Sequence, residues 1–343
     1  MCYNAGEIPQ LWGELERSTN MNREQRIERA KQAINDHKKK YYNNGEYVNA
    51  DFWDFAEIFE IILDAYENFG GEEYITMFSE MYDFAVRSYG ATWEHNPYND
   101  DIMWLCIALT RVYSFTGEKK YLDTAVRNFD LTWERAYSTE LGGGLYWRVE
   151  NRSKNACVNC PGSSAASLIA KATGDNGYYE KAALAHNWTA EYLYEADNGK
   201  VYDCMGVDGR VNKWSSTYNQ GTFIGSAMLL YEYTGDEKYL ERANRAAEYV
   251  MKEMYNSSVM NNEEPGNDLP GFKGILARWL YRYALKTGKS EYVEWLRLNA
   301  DSAWSNRNSE GLMWTQLGVK TEDEREYDVF SMSAAVSVLV NCI

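Results

Sequence analysis

The sequence predicts an all-α protein, an (α/α)6 toroid or barrel of six inner helices ringed by six outer ones. Three observations carry this. A Gly-x-x-x-Tyr signature recurs five times, at Gly70-Tyr74, Gly117-Tyr121, Gly174-Tyr178, Gly235-Tyr239 and Gly288-Tyr292. The helical stretches before and after these turns differ in character, one set poor in charge and the other rich in it. The connections also alternate strictly between short and long. The spacing does not fit a 34-residue solenoid repeat, and strand signals are confined to loops.

The elements follow in order. Residues 1–22 read as an N-terminal extension and 23–343 as one domain. The first helix spans 23–42, with Ile27, Ala30 and Ile34 on its apolar face and Lys38-Lys39-Lys40 at its C-terminal end, where the helix dipole favours cations. Helices at 53–68, 100–115, 163–172, 220–233, 272–286 and 328–343 end at, or follow the pattern of, the glycine turns. Most are built from Ala, Ser, Leu, Ile and Val, as in Ser163-Ser-Ala-Ala-Ser-Leu-Ile-Ala, and belong inside. Those at 74–89, 119–137, 178–195, 238–255 and 290–305 carry many Lys, Glu and Arg. With 23–42 they form the outer set. Each glycine closes one helix as a C-cap, and the polar residues after it open the next. The long connections (43–52, 90–99, 138–162, 196–219, 256–271 and 306–327) all precede inner helices. They therefore gather at one end of the toroid, where function concentrates on such scaffolds.

Composition narrows the class of function. The chain has 343 residues and a net charge of −16, which excludes nucleic acid and anionic membrane as partners, since both need a basic footprint. No apolar run reaches transmembrane length and no signal peptide is evident, giving an expectation of a cytoplasmic protein. The alternative is a secreted or periplasmic protein whose signal has been removed. With 12 Trp and 28 Tyr the aromatic content exceeds what a core needs, and flat rings stack on the apolar faces of sugars. Cys157-Val-Asn-Cys160 has metal or redox spacing, but no second such pair follows and there are three histidines, so neither a metal site nor a cofactor is expected.

Asp100 and Asp101 stand where a loop with Pro97 gives way to the apolar pattern of Trp104, Leu105, Ile107 and Ala108, with Asn99 or Asp100 as the expected N-cap. The bland reading is a pair of capping residues; their place at the long-loop end favours a site. Around them the same end gathers Trp53, Tyr98, Asn99, Trp147, Asn155, Tyr218, Asn219, Gln220, Lys273 and Trp314 as candidate substrate-binding residues. Gly142 to Gly144 allow a hairpin that projects Trp147 and delivers Lys154 and Asn155. Aromatic platforms and amides around two carboxylates suggest glycoside hydrolysis of a carbohydrate substrate. One carboxylic acid protonates the leaving oxygen and the other attacks the anomeric carbon or activates water. Adjacent residues at a helix start can reach the ~5–5.5 Å separation of retaining enzymes. Asp51, Asp54, Asp203, Asp268 and Asp328 are alternative acids, Asp328 foremost because it too begins an inner helix.

Four motifs in this order resemble glycoside hydrolase family 76, the endo-α-1,6-mannanases, over residue 23 to the C-terminus. They are Asn99-Asp100-Asp101 with Trp104; Gly143-Gly144-Leu-Tyr-Trp147 followed by Lys154-Asn155; Tyr218-Asn219-Gln220-Gly221; and Phe272-Lys273-Gly274-Ile275 with Arg278. The resemblance implies retaining, metal-independent hydrolysis of α-1,6-mannosidic linkages in mannan degradation, with Asp100 as nucleophile and Asp101 as acid/base. A transglycosylase, a hydrolase of another α-linked glycan, or a non-catalytic carbohydrate-binding protein are the alternatives.

Overall fold

The structure, a computed structural model, describes residues 21–256, 259–261, 263 and 269–343. Nearly all of the N-terminal extension, Cys2 and Asp268 lie outside the described residues. Asn22 belongs to the domain, since it caps the first helix through a reciprocal capping box with Gln25.

Twelve α-helices are present among the described residues. The inner set is α2 (Phe52–Phe69), α4 (Asn99–Thr116), α6 (Ala156–Thr173), α8 (Thr217–Thr234), α10 (Phe272–Thr287) and α12 (Val329–Val340). The outer set is α1 (Arg23–Tyr41), α3 (Glu72–Tyr89), α5 (Lys119–Ala136), α7 (Asn176–Tyr192), α9 (Glu237–Glu253) and α11 (Ser290–Ser305). Each inner helix packs on the next around the ring, and α12 packs on α2 to close it. The first outer helix, α1, packs against the last inner one, α12, so the two ends of the domain are sealed together. Inner helices are buried over most of their length, whereas outer helices bury one stripe, as their charge distribution requires.

The short turns are as the glycine signature predicts. Gly117 ends α4 in the left-handed conformation at φ 70°, which a side chain adopts only with strain, and its N–H closes the last turn on the Tyr113 carbonyl. The long connections hold two- and three-residue strands, among them β1 (Ser153–Asn155), β2 (Cys204–Gly206) and β3 (Val211–Asn212), which form one antiparallel sheet at the open end.

One inner helix departs from expectation. The pattern places its start at Ser163 because Pro161-Gly162 reads as a loop, yet α6 begins at Ala156 and runs through Pro161. Gly162 is there for close approach and not for a turn. A Cβ on it would lie 2.8 Å from Leu145 Cδ1, where the preceding loop packs on the helix. The consequence is functional, because Cys157 now lies in the first turn of an inner helix.

Candidate active site

Five of the six long connections, all but 306–327, contribute to the wall of a cleft of about 800 Å³ at the end of the toroid where the inner helices begin. Asp100 and Asp101 lie on its wall. The N-cap of α4 is Tyr98, so Asn99, Asp100 and Asp101 are the first three residues of the helix itself. The capping role expected for Asn99 or Asp100 is therefore not theirs. Asn99 instead works as a clamp. Its Nδ2 donates to the Tyr146 carbonyl (2.8 Å) and its Oδ1 accepts from Arg135 Nε (2.7 Å). Arg135, at the end of α5, also donates to the carbonyls of Glu94 and Asn96 (2.9 and 2.8 Å), tying down the loop that leads into the aspartates.

The second wall is the hairpin before α6. Its backbone runs antiparallel to residues 97–99, with Asn99 N–H on the Trp147 carbonyl (2.8 Å) and Val149 N–H on the Pro97 carbonyl (3.1 Å). This sets Trp147 against Tyr98, ring centroids 5.5 Å apart, with both facing the cleft. Lys154 is fully buried and does not reach the cleft. Its ammonium donates to the carbonyls of Ser138, Glu140 and Gly143 (2.8, 2.7 and 2.5 Å), gathering the glycine-rich turn around one cation. Burial lowers its pKa to about 8. Asn155 does line the cleft, held by Ser153 Oγ at 2.7 Å.

Tyr218 and Phe272, 4.0 Å apart between ring centroids, form the far side, and Trp53 closes the floor edge-on to Trp104 and Phe330. Asp203 also lines the cleft. Its backbone carbonyl accepts from Ala156 N–H (2.8 Å) and its Oδ2 from Asn212 (3.0 Å).

Four further candidates stand at the right end but turn their side chains elsewhere. Asn219 completes the cap of α8 through Ser216 N–H (3.0 Å). Gln220, with its amide oriented to satisfy both ends, donates to Gly199 O (3.1 Å) and accepts from Val201 N–H (2.7 Å). Lys273 donates to the Thr315 carbonyl (2.6 Å), anchoring the last long loop. Trp314 packs on Tyr327 and Arg325 away from the cleft. The common cause is that irregular backbone at the loop end needs buried hydrogen-bond partners, and these polar chains supply them. Among the alternative acids, Asp51 reaches the cleft while capping α2. Asp328 caps α12 through Ser331 and is not on the cleft wall.

Cys157, Cys204, Ser153 and Trp214 line the cleft without having been singled out as binding residues. Cys157 could have been found only by placing the start of α6 correctly.

The electrostatics separate the two aspartates. Asp101 is half-buried and its Oδ2 accepts from Asn96 Nδ2 (2.9 Å). Asp100 is 8 % exposed, and its Oδ1 has no hydrogen bond of good geometry. Burial pushes its pKa up to about 7. The Cys157 thiol, the Trp147 indole and the helix-start N–H groups pull in the opposite direction without prevailing. Among the described residues on the cleft wall there is no lysine or arginine. A carboxyl group poised near neutrality beside a second carboxylate, inside an aromatic cleft, is an arrangement that can give and take a proton beside a bound sugar.

The glycosyl hydrolase family 76 sequence model matches residues 25–342, nearly the whole domain. The chain belongs to that family. It is similar to the α-1,6-mannanase GH76A of Salegentibacter sp. HEL1_6, with 29 % identity, 92 % of this chain and 98 % of that one covered, and a TM-score of 0.84. A complex of that enzyme with α-1,6-mannotriose was obtained with a variant made inactive by changing two consecutive aspartates to asparagine; it matches at 28 % identity, the same coverage and a TM-score of 0.85. Among curated relatives, the mannan endo-1,6-alpha-mannosidase DCW1 of Candida glabrata is 27 % identical over 72 % of this chain. The chain spans about half the length of the curated relatives it matches. The family 76 fold and the aspartate-bearing cleft thus coincide in one domain.

Proposed function

We propose that this family 76 chain hydrolyses α-1,6-mannosidic linkages of mannan or manno-oligosaccharides with retention of configuration. The observation that carries the reading is the consecutive pair Asp100-Asp101 on the wall of an aromatic cleft. It is supported by the similar mannanase that is inactive when two consecutive aspartates are changed. In the first step Asp101 gives its proton to the glycosidic oxygen while an Asp100 oxygen attacks the anomeric carbon. The glycosidic bond breaks and a glycosyl ester forms on Asp100. In the second step the ionised Asp101 takes a proton from water, the resulting hydroxide attacks the same carbon, and Asp100 leaves as carboxylate. Asp101 regains its proton and the product keeps the α configuration.

The orphaned Oδ1 of Asp100 fits the attacking role, since an oxygen without a strong donor keeps its nucleophilicity. Its raised pKa means that this role needs the proton to leave Asp100 first. Trp147 and Tyr98 would stack on the sugar at the cleavage point, with Tyr218 and Phe272 opposite.

The test is digestion of linear α-1,6-mannan followed by chromatography. Short mannosides are expected. Products longer than an oligosaccharide substrate would instead indicate transfer to a second sugar, and no change in a folded protein would exclude this linkage.

A further inference from the structure

Outward from the catalytic cleft lies a second hollow of about 200 Å³, between the start of α8 and the end of α9. Trp214 lines both. A single exposed aromatic ordinarily needs no explanation. Trp214 differs in two respects. Trp53, Tyr218 and Phe272 are each less than a tenth exposed and serve as floor and walls, whereas Trp214 is 38 % exposed at the rim. Its mount is also rigid. Its carbonyl accepts from Asp203 N–H (2.9 Å) and its N–H donates to Asn212 Oδ1 (3.2 Å), so the ring hangs from the same sheet that carries Asp203 into the cleft. The hollow behind it is walled by polar groups, including Ser215, Tyr249 and Glu253, which suit sugar hydroxyls.

We infer that Trp214 is the platform of a distal subsite, where one further mannosyl unit of the bound main chain crosses the rim and settles in the outer hollow. This rests on the mannan-directed reading above. The chemistry of the linkage favours the main chain as occupant. An α-1,6 bond adds a rotatable C5–C6 bond to the two glycosidic torsions, so the backbone can bend over an edge. Trp214 offers an apolar face for that bend, and the hollow beyond offers acceptors and donors.

The experiment measures binding by calorimetry in the Asp100→Asn/Asp101→Asn protein, with α-1,6-linked mannobiose, mannotriose, mannotetraose and mannohexaose. Trp214→Ala and Trp214→Phe are compared in that background, their folding checked by circular dichroism. The expected result is that Trp214→Ala lowers the ratio of mannohexaose to mannobiose affinity roughly tenfold, the scale of a buried-face Trp anchor, while Trp214→Phe retains most of it. An unchanged ratio overturns the inference, as does an equal loss of affinity for mannobiose and mannohexaose. Turnover of linear α-1,6-mannan by the unmodified protein is measured in parallel. Turnover with an unchanged ratio removes this inference alone, and neither turnover nor binding removes the parent reading with it.

Discussion

Two groups of carboxylates occupy the interior of the toroid, and their most buried members, Asp64 in one and Asp100 in the other, are treated in opposite ways. Further along the inner helices, Glu57, Glu60 and Asp64 of α2 meet Arg111 of α4 and Arg278 of α10. Arg111 reaches Glu60 and Asp64 at 2.9 Å, and Arg278 reaches Asp64 at 2.5 Å and Glu57 at 2.9 Å. Arg282 and Asn341 add further bonds to Asp64. Burial pushes Asp64 up, but Arg278, Arg111 and Arg282 together outweigh it and hold its carboxyl below the usual range. Since α12 stands between α10 and α2 in the ring, Arg278 crosses the interior to make its pairs. At the cleft, Asp100 sits among aromatics and a thiol with no lysine or arginine among the described residues of the wall, and burial prevails. The arginine-paired cluster ties the ring together, while Asp100, held neutral by burial, retains a proton that can be moved. Whether buried acid serves structure or chemistry is decided here by which side chains face it.

Substitutions should separate the two groups. The largest effect expected is on rate: Asp100→Asn and Asp101→Asn each lower kcat/KM on α-1,6-mannan by about 10³-fold or more, with circular dichroism unchanged, as removal of a nucleophile or its acid partner does. Equal activity in either variant would dissolve the distinction between the groups. Next comes stability. Asp64→Ala removes the carboxylate that Arg278 and Arg111 share in the interior and should cost ~3–5 kcal/mol in urea unfolding. A cost below 1 kcal/mol would show that the cluster does not hold the ring.

A smaller effect of opposite sign is expected at the cleft. The Asp100 pKa is raised on folding from the ordinary carboxylate value to about 7. The folded state therefore holds the proton more tightly, and stability falls as pH rises from about 4 through 7. Asp100→Asn removes that penalty and should be more stable than the parent at pH 8 by ~1–3 kcal/mol, and indistinguishable at pH 4. A variant less stable at pH 8 would mean that the carboxylate is satisfied there. The gentlest probe is the pH profile. If Asp100 must be ionised to attack, kcat/KM falls about tenfold per pH unit below about 7. A decline above 7 instead would exchange the roles of the two aspartates.

What the sequence makes legible follows the range of the interactions involved. The twelve helices rest on local signals, apolar periodicity and left-handed glycines, and their bounds are met within a few residues except at α6. There Pro161-Gly162 imitates a loop, because the need for Gly162 comes from Leu145, a contact no window of sequence reveals. The loop-rich end and its aspartate pair are legible for the same local reason, since connection length and helix starts are written in order along the chain. The direction of each polar side chain is not. Asn99, Asn219, Gln220 and Lys273 are at the right end, and all four serve the backbone. Arg278 pairs with Asp64 across 214 residues, and Trp214 is one aromatic among many until the two hollows beside it are seen.

Retaining cleavage of α-1,6-mannosidic bonds by the aspartate pair would leave its mark on the first products released. The most direct measurement is proton NMR of the anomeric region during the first minutes of α-1,6-mannotetraose digestion. Newly formed reducing ends should appear first as the α anomer, and the signal should be absent with Asp100→Asn. Initial release of the β anomer, or release that persists in Asp100→Asn, would contradict retaining cleavage by this pair.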